Sequence, residues 1–575
     1  MLKRILKSVG KYKRYAVFTA LFVIVEVIME VAIPVLMANM IDYGIEKNNL
    51  EVVTRLGLVL IIMSLVSLMF GVLAGKFASI AASGFAKNLR KDIYYKVCEF
   101  SFLNIDKFKT SSLITRLTTD VTNVMQAFQM IIRVAVRAPM MLVFSVFMAF
   151  TINNKVPFIF VFAMIFLGLG LYLIVSKVHL LFKSTFRIYD KLNNIVCENL
   201  RGIKTVKSFV REDFESKKFE NVSNDLSKNF MHAEKIIAFN APLMQFSMYI
   251  SILLIAWIGS KLIILNQMTR GELISLISYT SQILISLMIV SAILVMILIS
   301  RTSQERIIEV LDCDIDLKNC DNPVEEIKDG SIVFKDVSFS YYNSENSCLS
   351  DVNIHIKSGE SIGIIGKTGS SKSTLVHLIP RLYDVSSGEI LVGGVNVKDY
   401  DIKTLRNSIA FVFQKNTLFS GTIRENLCIG NKNATHGEIV EACDIACANE
   451  FIDKLENKYD SVVKQEGNNF SGGQKQRLCI ARAIIKKPKV LILDDSTSSV
   501  DTKTDAMIRN KLKNSLPSTT KIIISQRINS ILELDRIIVM DNGRVVACGK
   551  HNELIENSSL YKEIYMSQIR EDSES

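Results

Sequence analysis

The sequence predicts a helical membrane domain of six transmembrane helices, followed by an α/β domain built around a phosphate-binding loop. Hydrophobic residues make up 49% of the 575 residues, and the long apolar runs all lie before about residue 300. After Arg301 the pattern changes, and short β-like runs alternate with helical patterns, which is typical of an α/β layout. The chain is also too long for one hydrophobic core. We expect the membrane domain over 1–305, a linker over 306–330 and the α/β domain over 331–575.

The membrane domain is predicted from the length of its apolar runs. Each run reaches the roughly 20 residues that a helix needs to cross the hydrocarbon core of a bilayer. The chain is therefore expected to be a multi-pass protein in contact with lipid. The predicted spans are 16–41, 56–82, 128–152, 156–176, 241–265 and 273–299.

Basic residues beside these runs indicate the orientation of the helices. The first fourteen residues carry six Lys or Arg and no acid, and the long connections 83–127 and 177–240 are also rich in Lys and Arg. Because Lys and Arg concentrate on the cytoplasmic side, we expect both termini and the α/β domain in the cytoplasm at the cell membrane. Much of the net charge of +11 is then a topology signal, which argues against a nucleic-acid partner.

Several ionisable residues interrupt the apolar runs, and four of them form two pairs at helical spacing. Glu26 and Glu30 lie four apart in the first span, and Arg133 and Arg137 repeat that spacing in the third. Charges at membrane depth usually face a bundle interior or a water-filled cavity. One interpretation is a substrate pathway that prefers cationic or amphipathic cargo. The alternatives are a structural ion pair, or helix ends that project beyond the lipid.

The first motif of the α/β domain is a glycine-rich loop between a predicted strand, 361–365, and an apolar helix. In such a loop the backbone N–H groups surround phosphates, a Lys supplies a point charge and a hydroxyl binds Mg²⁺. Ser371 stands where the pattern has its second glycine, so we expect nucleotide binding with altered affinity or geometry. Ser373 is the predicted Mg²⁺ ligand. The predicted binding residues of the loop are Gly366, Lys367, Thr368, Gly369, Ser370, Ser371, Lys372, Ser373 and Thr374.

Two further motifs complete a predicted site for ATP and Mg²⁺. The apolar run 490–494 is typical of a buried strand, and Asp494 at its end is a candidate Mg²⁺ ligand. A serine and two glycines that open a helix form an anion site. The order and spacing of the three motifs are far more specific than any one alone. The residues of this third motif are Ser471, Gly472, Gly473 and Gln474.

Together with the six spans, these motifs resemble an ABC transporter half of the exporter type, over nearly the whole chain. The resemblance implies the domain-swapped exporter fold, in which the FSGGQ signature, 470–474, contacts ATP held by the opposing subunit. The segments 100–121 and 198–213 resemble the two cytoplasmic coupling helices.

The resemblance also assigns roles to residues outside the three motifs. Gln414 matches the Q-loop residue that senses Mg²⁺ and touches the membrane domain. Tyr341 matches the aromatic residue that stacks on adenine, with Tyr342 as a close rival. Asp501 lies in the segment that matches the D-loop and is predicted to contact the nucleotide.

Three positions depart from the family pattern at one ATP site. Asp495 stands where the family has a Glu that acts as general base, and the missing methylene withdraws the carboxylate by roughly an ångström. Gln526 replaces the switch histidine, and a Gln amide can donate a hydrogen bond but cannot carry charge. Ser371 is the third departure, whereas the signature is unaltered.

These departures predict one half of a heterodimeric exporter of the bacterial multidrug type. A partner half-transporter with an intact Glu and His would pair with this chain's signature to form the hydrolytic site, while this chain's own site hydrolyses weakly. The expected cargo is a small amphipathic or hydrophobic compound. The alternatives are a homodimeric lipid or peptide exporter, and a regulatory ATP-binding subunit that gates a partner.

Overall fold

The computed structural model describes residues 2–108, 110–341 and 347–574. The chain divides into two compact units, of which the first comprises Met1–Glu99 and Lys109–Cys313. The second comprises Phe100–Phe108 and Asp314–Ser575. The predicted fold class is confirmed, because the first unit holds six long apolar helices and the second has an α/β fold.

The helices up to Leu311 include six that are long and apolar enough to cross a membrane, in the described residues. Short 3₁₀ or π turns lie at Gly10–Tyr12, Met40–Ile45 and Arg116–Asp120. The helices are α1 (Leu2–Lys7), α2 (Lys13–Asn39), α3 (Leu50–Cys98), α4 (Phe102–Lys107), α5 (Thr110–Thr115), α6 (Val121–Ile152), α7 (Phe158–Arg201), α8 (Ile203–Ser208), α9 (Glu212–Ala238), α10 (Asn240–Ile264) and α11 (Arg270–Leu311).

Several of these helices continue well beyond the apolar spans. Helix α3 runs to Cys98, whereas the predicted span ends at residue 82. Its extension keeps a helical stripe of buried apolar residues at Ala81, Phe85, Leu89 and Ile93, a four-residue spacing that places them on one face. The long connections of the sequence are therefore largely continuations of the membrane helices.

The second unit is built on a six-stranded sheet with the order β12-β11-β3-β10-β9-β6. All neighbours in it are parallel except β11 and β12. A four-stranded antiparallel sheet has the order β2-β1-β4-β5, and β7 pairs with β8. The strands are β1 (Ile332–Phe339), β2 (Leu349–Ile356), β3 (Ser361–Gly366), β4 (Ser387–Val392), β5 (Val395–Asn396), β6 (Ile409–Val412), β7 (Gly421–Thr422), β8 (Val462–Val463), β9 (Val490–Asp494), β10 (Thr520–Ile524), β11 (Arg536–Asp541) and β12 (Arg544–Gly549).

Helices pack beside the parallel sheet, whose central strands are largely apolar and buried. Short 3₁₀ turns lie at Lys458–Asp460, Gln465–Gly467 and Ile528–Ser530. The helices are α12 (Lys372–His377), α13 (Ile402–Ser408), α14 (Ile423–Cys428), α15 (His436–Ile445), α16 (Asn449–Ile452), α17 (Gly472–Ile484), α18 (Thr502–Ser515), α19 (His551–Asn557) and α20 (Ser559–Glu574).

Candidate active site

Four loops that carry predicted site residues leave the same edge of the parallel sheet. Strands β3, β10, β9 and β6 are consecutive parallel neighbours, so their carboxyl ends meet at one edge. Strand β3 leads into the phosphate loop, and β9 ends at Asp494, directly before Asp495. Gln526 follows β10 and Gln414 follows β6. The topology therefore gathers residues from four separate sequence segments.

The phosphate loop folds as the sequence predicts, but its serine departure adopts an unusual backbone conformation. Ser371 has φ +66° and ψ +26°, the left-handed region that favours glycine. Helix α12 begins at the next residue, Lys372, so this conformation turns the loop into the helix. At the start of the loop, a Cβ on Gly366 would overlap the carbonyl oxygen of Met540. The loop therefore retains a required glycine at 366 and carries strain at 371.

Lys372 crosses back over its own loop. Its Nζ donates to the carbonyl oxygens of Gly366 and Lys367 at 2.8 and 2.9 Å, and to Ser370 Oγ at 3.2 Å. Burial lowers the pKa of the Lys372 ammonium, and the carboxylates of Asp494 and Asp495 oppose that shift. The ammonium is therefore positioned among backbone oxygens at the centre of the loop. Of the other loop residues, Lys367, Thr368 and Gly369 are exposed, whereas Ser370 and Thr374 are buried.

The predicted Mg²⁺ ligands Ser373 and Asp494 lie side by side. Ser373 Oγ donates to Asp494 Oδ1 at 3.0 Å. Burial raises the pKa of Asp494, and the Ser373 hydroxyl partly offsets that effect. Hydroxyl and carboxylate oxygens are the hard ligands that Mg²⁺ prefers, so this pair fits the ion. Ser373 and Asp494 would hold it, and Mg²⁺ would supply positive charge for nucleotide phosphates.

Asp495 lies between two neutral amides. Gln414 Nε2 is 3.5 Å and Gln526 Nε2 is 3.4 Å from Asp495 Oδ2. Burial raises the pKa of Asp495, and the Gln414 hydrogen bond lowers it in part. The residue has φ +46°, a left-handed conformation that Asp tolerates better than most residues. The structure thus brings the general-base position, the switch position and the Q-loop residue into one cluster.

Within the second unit, Tyr341 makes edge contacts with neighbouring aromatic rings and a hydroxyl contact beside the phosphate loop. Its ring makes T-shaped contacts with Phe339 and Tyr383, at centroid distances of 4.9 and 5.3 Å. Its Oη lies 3.1 Å from Thr374 Oγ1, next to the phosphate loop. This places the tyrosine beside the loop, while adenine stacking remains a prediction. Its rival Tyr342 lies outside the described residues.

The signature begins helix α17, as predicted. Ser471 is the N-cap and forms a reciprocal capping box with Gln474, with distances of 3.3 and 2.9 Å. A Cβ on Gly473 would lie 2.9 Å from the carbonyl oxygen of Ser499, so only glycine fits without movement. Ser471 and Gly472 are exposed, whereas Gly473 and Gln474 are half-buried. The capped helix start therefore faces outward and is well ordered by its own side chains.

Gln476 of the signature helix contacts the segment that follows β9, and no sequence motif identified this residue. Gln476 Nε2 donates to Ser498 Oγ at 3.1 Å, and its Oε1 accepts from the Ser499 amide at 2.9 Å. Asp501, which the resemblance assigned to nucleotide contact, is the N-cap of α18 and accepts from the Thr504 amide at 2.9 Å. The amphipathic pattern of α17 could indicate that Gln476 is buried, but not which segment it contacts.

The first predicted coupling helix belongs to the second unit and contacts residues beside the site. Phe102 of α4 stacks with Phe413, next to Gln414, at a centroid distance of 6.3 Å. It also makes a T-shaped contact with Tyr383 at 5.9 Å. Tyr383 Oη donates to Asp106 Oδ2 at 2.7 Å. The same Tyr383 touches Tyr341, so aromatic contacts connect α4 with the predicted adenine-stacking residue.

The four predicted pathway residues, Glu26, Glu30, Arg133 and Arg137, form one mixed cluster between helices of the first unit. Arg137 Nη2 donates to both carboxylate oxygens of Glu30, at 2.7 and 2.8 Å, and Arg137 Nη1 lies 3.5 Å from Glu26. Glu26 is 6% exposed. Arg133 Nη2 is 3.5 Å from the carbonyl oxygen of Gly71. This pairing favours the structural ion pair over a free acidic surface for cations, while the pathway role is untested.

Comparisons with known proteins agree with this architecture. Residues 17–288 match the family model described as the ABC transporter transmembrane region, and residues 349–498 match the model described as ABC transporter. An uncharacterized ABC transporter ATP-binding protein of Bacillus subtilis, YfiB, is 36% identical over the whole of both chains. A Staphylococcus aureus protein with a provisional name as a multidrug export ATP-binding/permease protein is 30% identical, covering 99% of this chain and 100% of that one.

A solved structure shows the same fold. It is a bacterial Atm1-family ABC exporter with ATP bound, with a TM-score of 0.84 at 21% identity, covering 97% of this chain and 99% of that one.

Proposed function

Because the chain belongs to the ABC transporter family, we propose that it is one half of a heterodimeric exporter for amphipathic or hydrophobic compounds. ABC exporters are ATP-hydrolysing, multi-pass membrane proteins that work as dimers. The chain's own phosphate loop forms a weakly hydrolytic ATP site, and its signature completes a hydrolytic site with a different partner chain.

The cluster around Asp495 carries the proposal. A general base must reach the attacking water directly, within about 3.2 Å, and must be free to accept its proton. Asp495 has a side chain one methylene shorter than that of Glu. Its hydrogen-bonding neighbours are the uncharged amides of Gln414 and Gln526, and the charges of Arg527 and Lys372 act on it from further away. Neither amide can supply the positive charge that a switch histidine can provide beside a developing phosphate charge. Slow hydrolysis is the expected result.

The signature at the start of α17 supports a second ATP site, which would form together with the phosphate loop of a partner chain. Ser471 and Gly472 are exposed at the N-terminus of α17, where backbone N–H groups and the helix dipole favour an anion. In an ABC dimer that anion would be the ATP held by the second chain. A partner with the family's Glu and His would make this composite site the productive one.

The second predicted coupling segment supports docking to another chain. At the end of α8 the apolar side chains of Phe209 and Val210 are 72% and 82% exposed. These residues lie in a predicted cytoplasmic excursion, where lipid cannot cover them. Exposed apolar groups of this kind mark protein contacts. We infer that they dock on the nucleotide-binding domain of the partner, with both termini of this chain in the cytoplasm.

The cargo class rests on the relative from Staphylococcus aureus, whose provisional name is a multidrug exporter. Amphipathic compounds are the chemistry that such a name implies. The Glu26–Glu30–Arg133–Arg137 cluster is compatible with cargo of either sign, because its opposite charges already pair with each other.

The test is co-expression with a second half-transporter that carries the Glu and His, followed by a substrate-stimulated ATPase screen. Replacing that Glu by Gln in the partner should silence hydrolysis, whereas Asp495→Asn in this chain should lower it only slightly. Asp453→Asn, at an exposed position outside the site, is the matched control. Equal losses from the two site variants would contradict the asymmetric assignment.

A further inference from the structure

One side chain of the C-terminal helix α20 forms hydrogen bonds to the backbone of the switch loop, residues 525–530. Gln568 Oε1 accepts from the backbone N–H of Ile528 at 2.8 Å, and its Nε2 donates to the carbonyl oxygen of Gln526 at 2.6 Å. The two bonds use both functional ends of one amide and fix backbone groups on either side of Arg527. A single side chain therefore holds the loop at two points.

The backbone that Gln568 holds carries two contacts of the site. The Gln526 side chain reaches Asp495, at 3.4 Å. The Arg527 guanidinium donates to the carbonyl oxygens of Ser498 and Val500, both at 3.0 Å. A shift of the loop would therefore move the switch side chain and also the segment that contacts the signature helix.

Helix α20 is well anchored where it presents Gln568. Tyr561 is fully buried, and its hydroxyl lies 2.7 Å from His551 Nδ1. Tyr561, Ile564 and Tyr565 pack in one apolar cluster with Ile528. Positions 561, 564, 565 and 568 recur at helical spacing, so the face that packs on the cluster also presents the amide.

We propose that Gln568 is a positioning residue for ATP hydrolysis, which holds the switch loop so that Gln526 and Arg527 adopt their places in the site. The proposal requires only an ATP site in this chain and is independent of the heterodimer. Within the described residues, the hydrogen bonds of Gln568 go to the switch loop, so its loss should change turnover more than ATP affinity.

The experiment compares Gln568→Met with the wild-type full-length chain in lipid nanodiscs. Methionine keeps the length and the packing of the side chain but removes both hydrogen bonds. We expect amide exchange of the 525–530 segment to speed up about tenfold or more, because local opening no longer breaks those bonds. We also expect the already slow kcat for ATP to fall about threefold, because Arg527 loses its contacts to the segment that packs on the signature helix, with KM changed less than about twofold.

Two further variants make the outcome specific. Gln568→Glu keeps the acceptor for Ile528 and loses the donor for Gln526, so kcat should fall while the Ile528 amide stays protected. Ser567→Ala removes a hydroxyl that donates to the carbonyl oxygen of Ile564 in the same helix, so this variant should match the wild type in both measurements. Unchanged exchange in Gln568→Met would overturn the clamp, and faster exchange with unchanged kcat would overturn the positioning role. Failure of the heterodimer proposal is seen separately, as brisk turnover by the wild-type chain alone.

Discussion

Two surfaces of the nucleotide-binding domain differ in how closely they follow the family pattern. One is the phosphate-loop face, which carries Ser371 and Asp495, and the other is the signature face, at the start of α17. On the phosphate-loop face, Ser371 is in a left-handed conformation and Asp495 is flanked by two uncharged amides. On the signature face, Ser471 caps its helix and Gly473 fits closely against the carbonyl of Ser499. Under the proposed heterodimer, one chain would contribute unequally to the two ATP sites.

The largest effect is expected on the signature face. In the co-expressed dimer, Gly473→Asp should reduce ATP turnover by about a hundredfold or more, since a side chain would collide with Ser499 and place negative charge beside phosphate. Lys372→Met on the phosphate-loop face should reduce it only severalfold. Steady-state ATPase assays of the two purified dimers make the comparison. A reversed order would contradict the assignment of the faces.

Restoring the family residues at positions 495 and 526 should speed ATP hydrolysis at this chain's own phosphate loop. Asp495→Glu combined with Gln526→His should raise ATP turnover of this chain alone by at least about tenfold, because the longer carboxylate reaches the water and the imidazole can carry charge. Asp495→Asn combined with Gln526→His is the control, since it lacks a base. A double restoration that behaves like this control would show that the two positions do not limit turnover.

A smaller effect, on the substrate stimulation of ATP turnover, is expected at the predicted coupling helix α4. Tyr383→Phe removes the 2.7 Å hydrogen bond to Asp106 and should lower the free energy of unfolding of the second unit by about 1 kcal/mol. Substrate stimulation of the ATPase should fall more than the basal rate, because the bond joins α4 to the site. Asp106→Asn keeps an acceptor oxygen and should retain most of the stimulation. Equal losses of basal and stimulated rates would argue against a coupling role.

The smallest effect is expected from relieving strain in the phosphate loop. Ser371→Gly should raise the free energy of unfolding by about 0.5–1 kcal/mol, because glycine adopts φ +66° without a Cβ penalty. Ser518→Gly, at an exposed position without positive φ, should instead lower it slightly through the entropy of the unfolded chain. Thermal unfolding of both variants tests the sign. Destabilisation by both would mean that Ser371 is not strained.

Local patterns were sufficient to predict the elements that carry the motifs. The strand that ends at Asp494 is an unbroken apolar run, and Ser471 followed by Gln474 is a capping box, so both were readable from a few neighbouring residues. The six spans could also be predicted from their length and apolar content. Helix α3 continues beyond its predicted span because buried apolar residues continue along one face of the helix after the hydrophobic run ends.

Contacts between distant segments could not be predicted in this way. Gln568 lies beyond every motif, and only the fold brings it to Gln526. Tyr383 and Phe102 meet because α4 packs within the second unit, although the chain places it between two membrane helices. Amides and aromatic rings at such positions have no sequence signature, since their partners are set by topology and not by spacing.

The asymmetric assignment is tested most directly by steady-state ATP turnover of the purified full-length chain in lipid nanodiscs, compared with its Asp495→Ala variant. We expect slow turnover by the wild type and little further loss in the variant, as for a site in which Asp495 does not act as an effective base. Brisk turnover by the wild-type chain that Asp495→Ala abolishes would contradict this assignment.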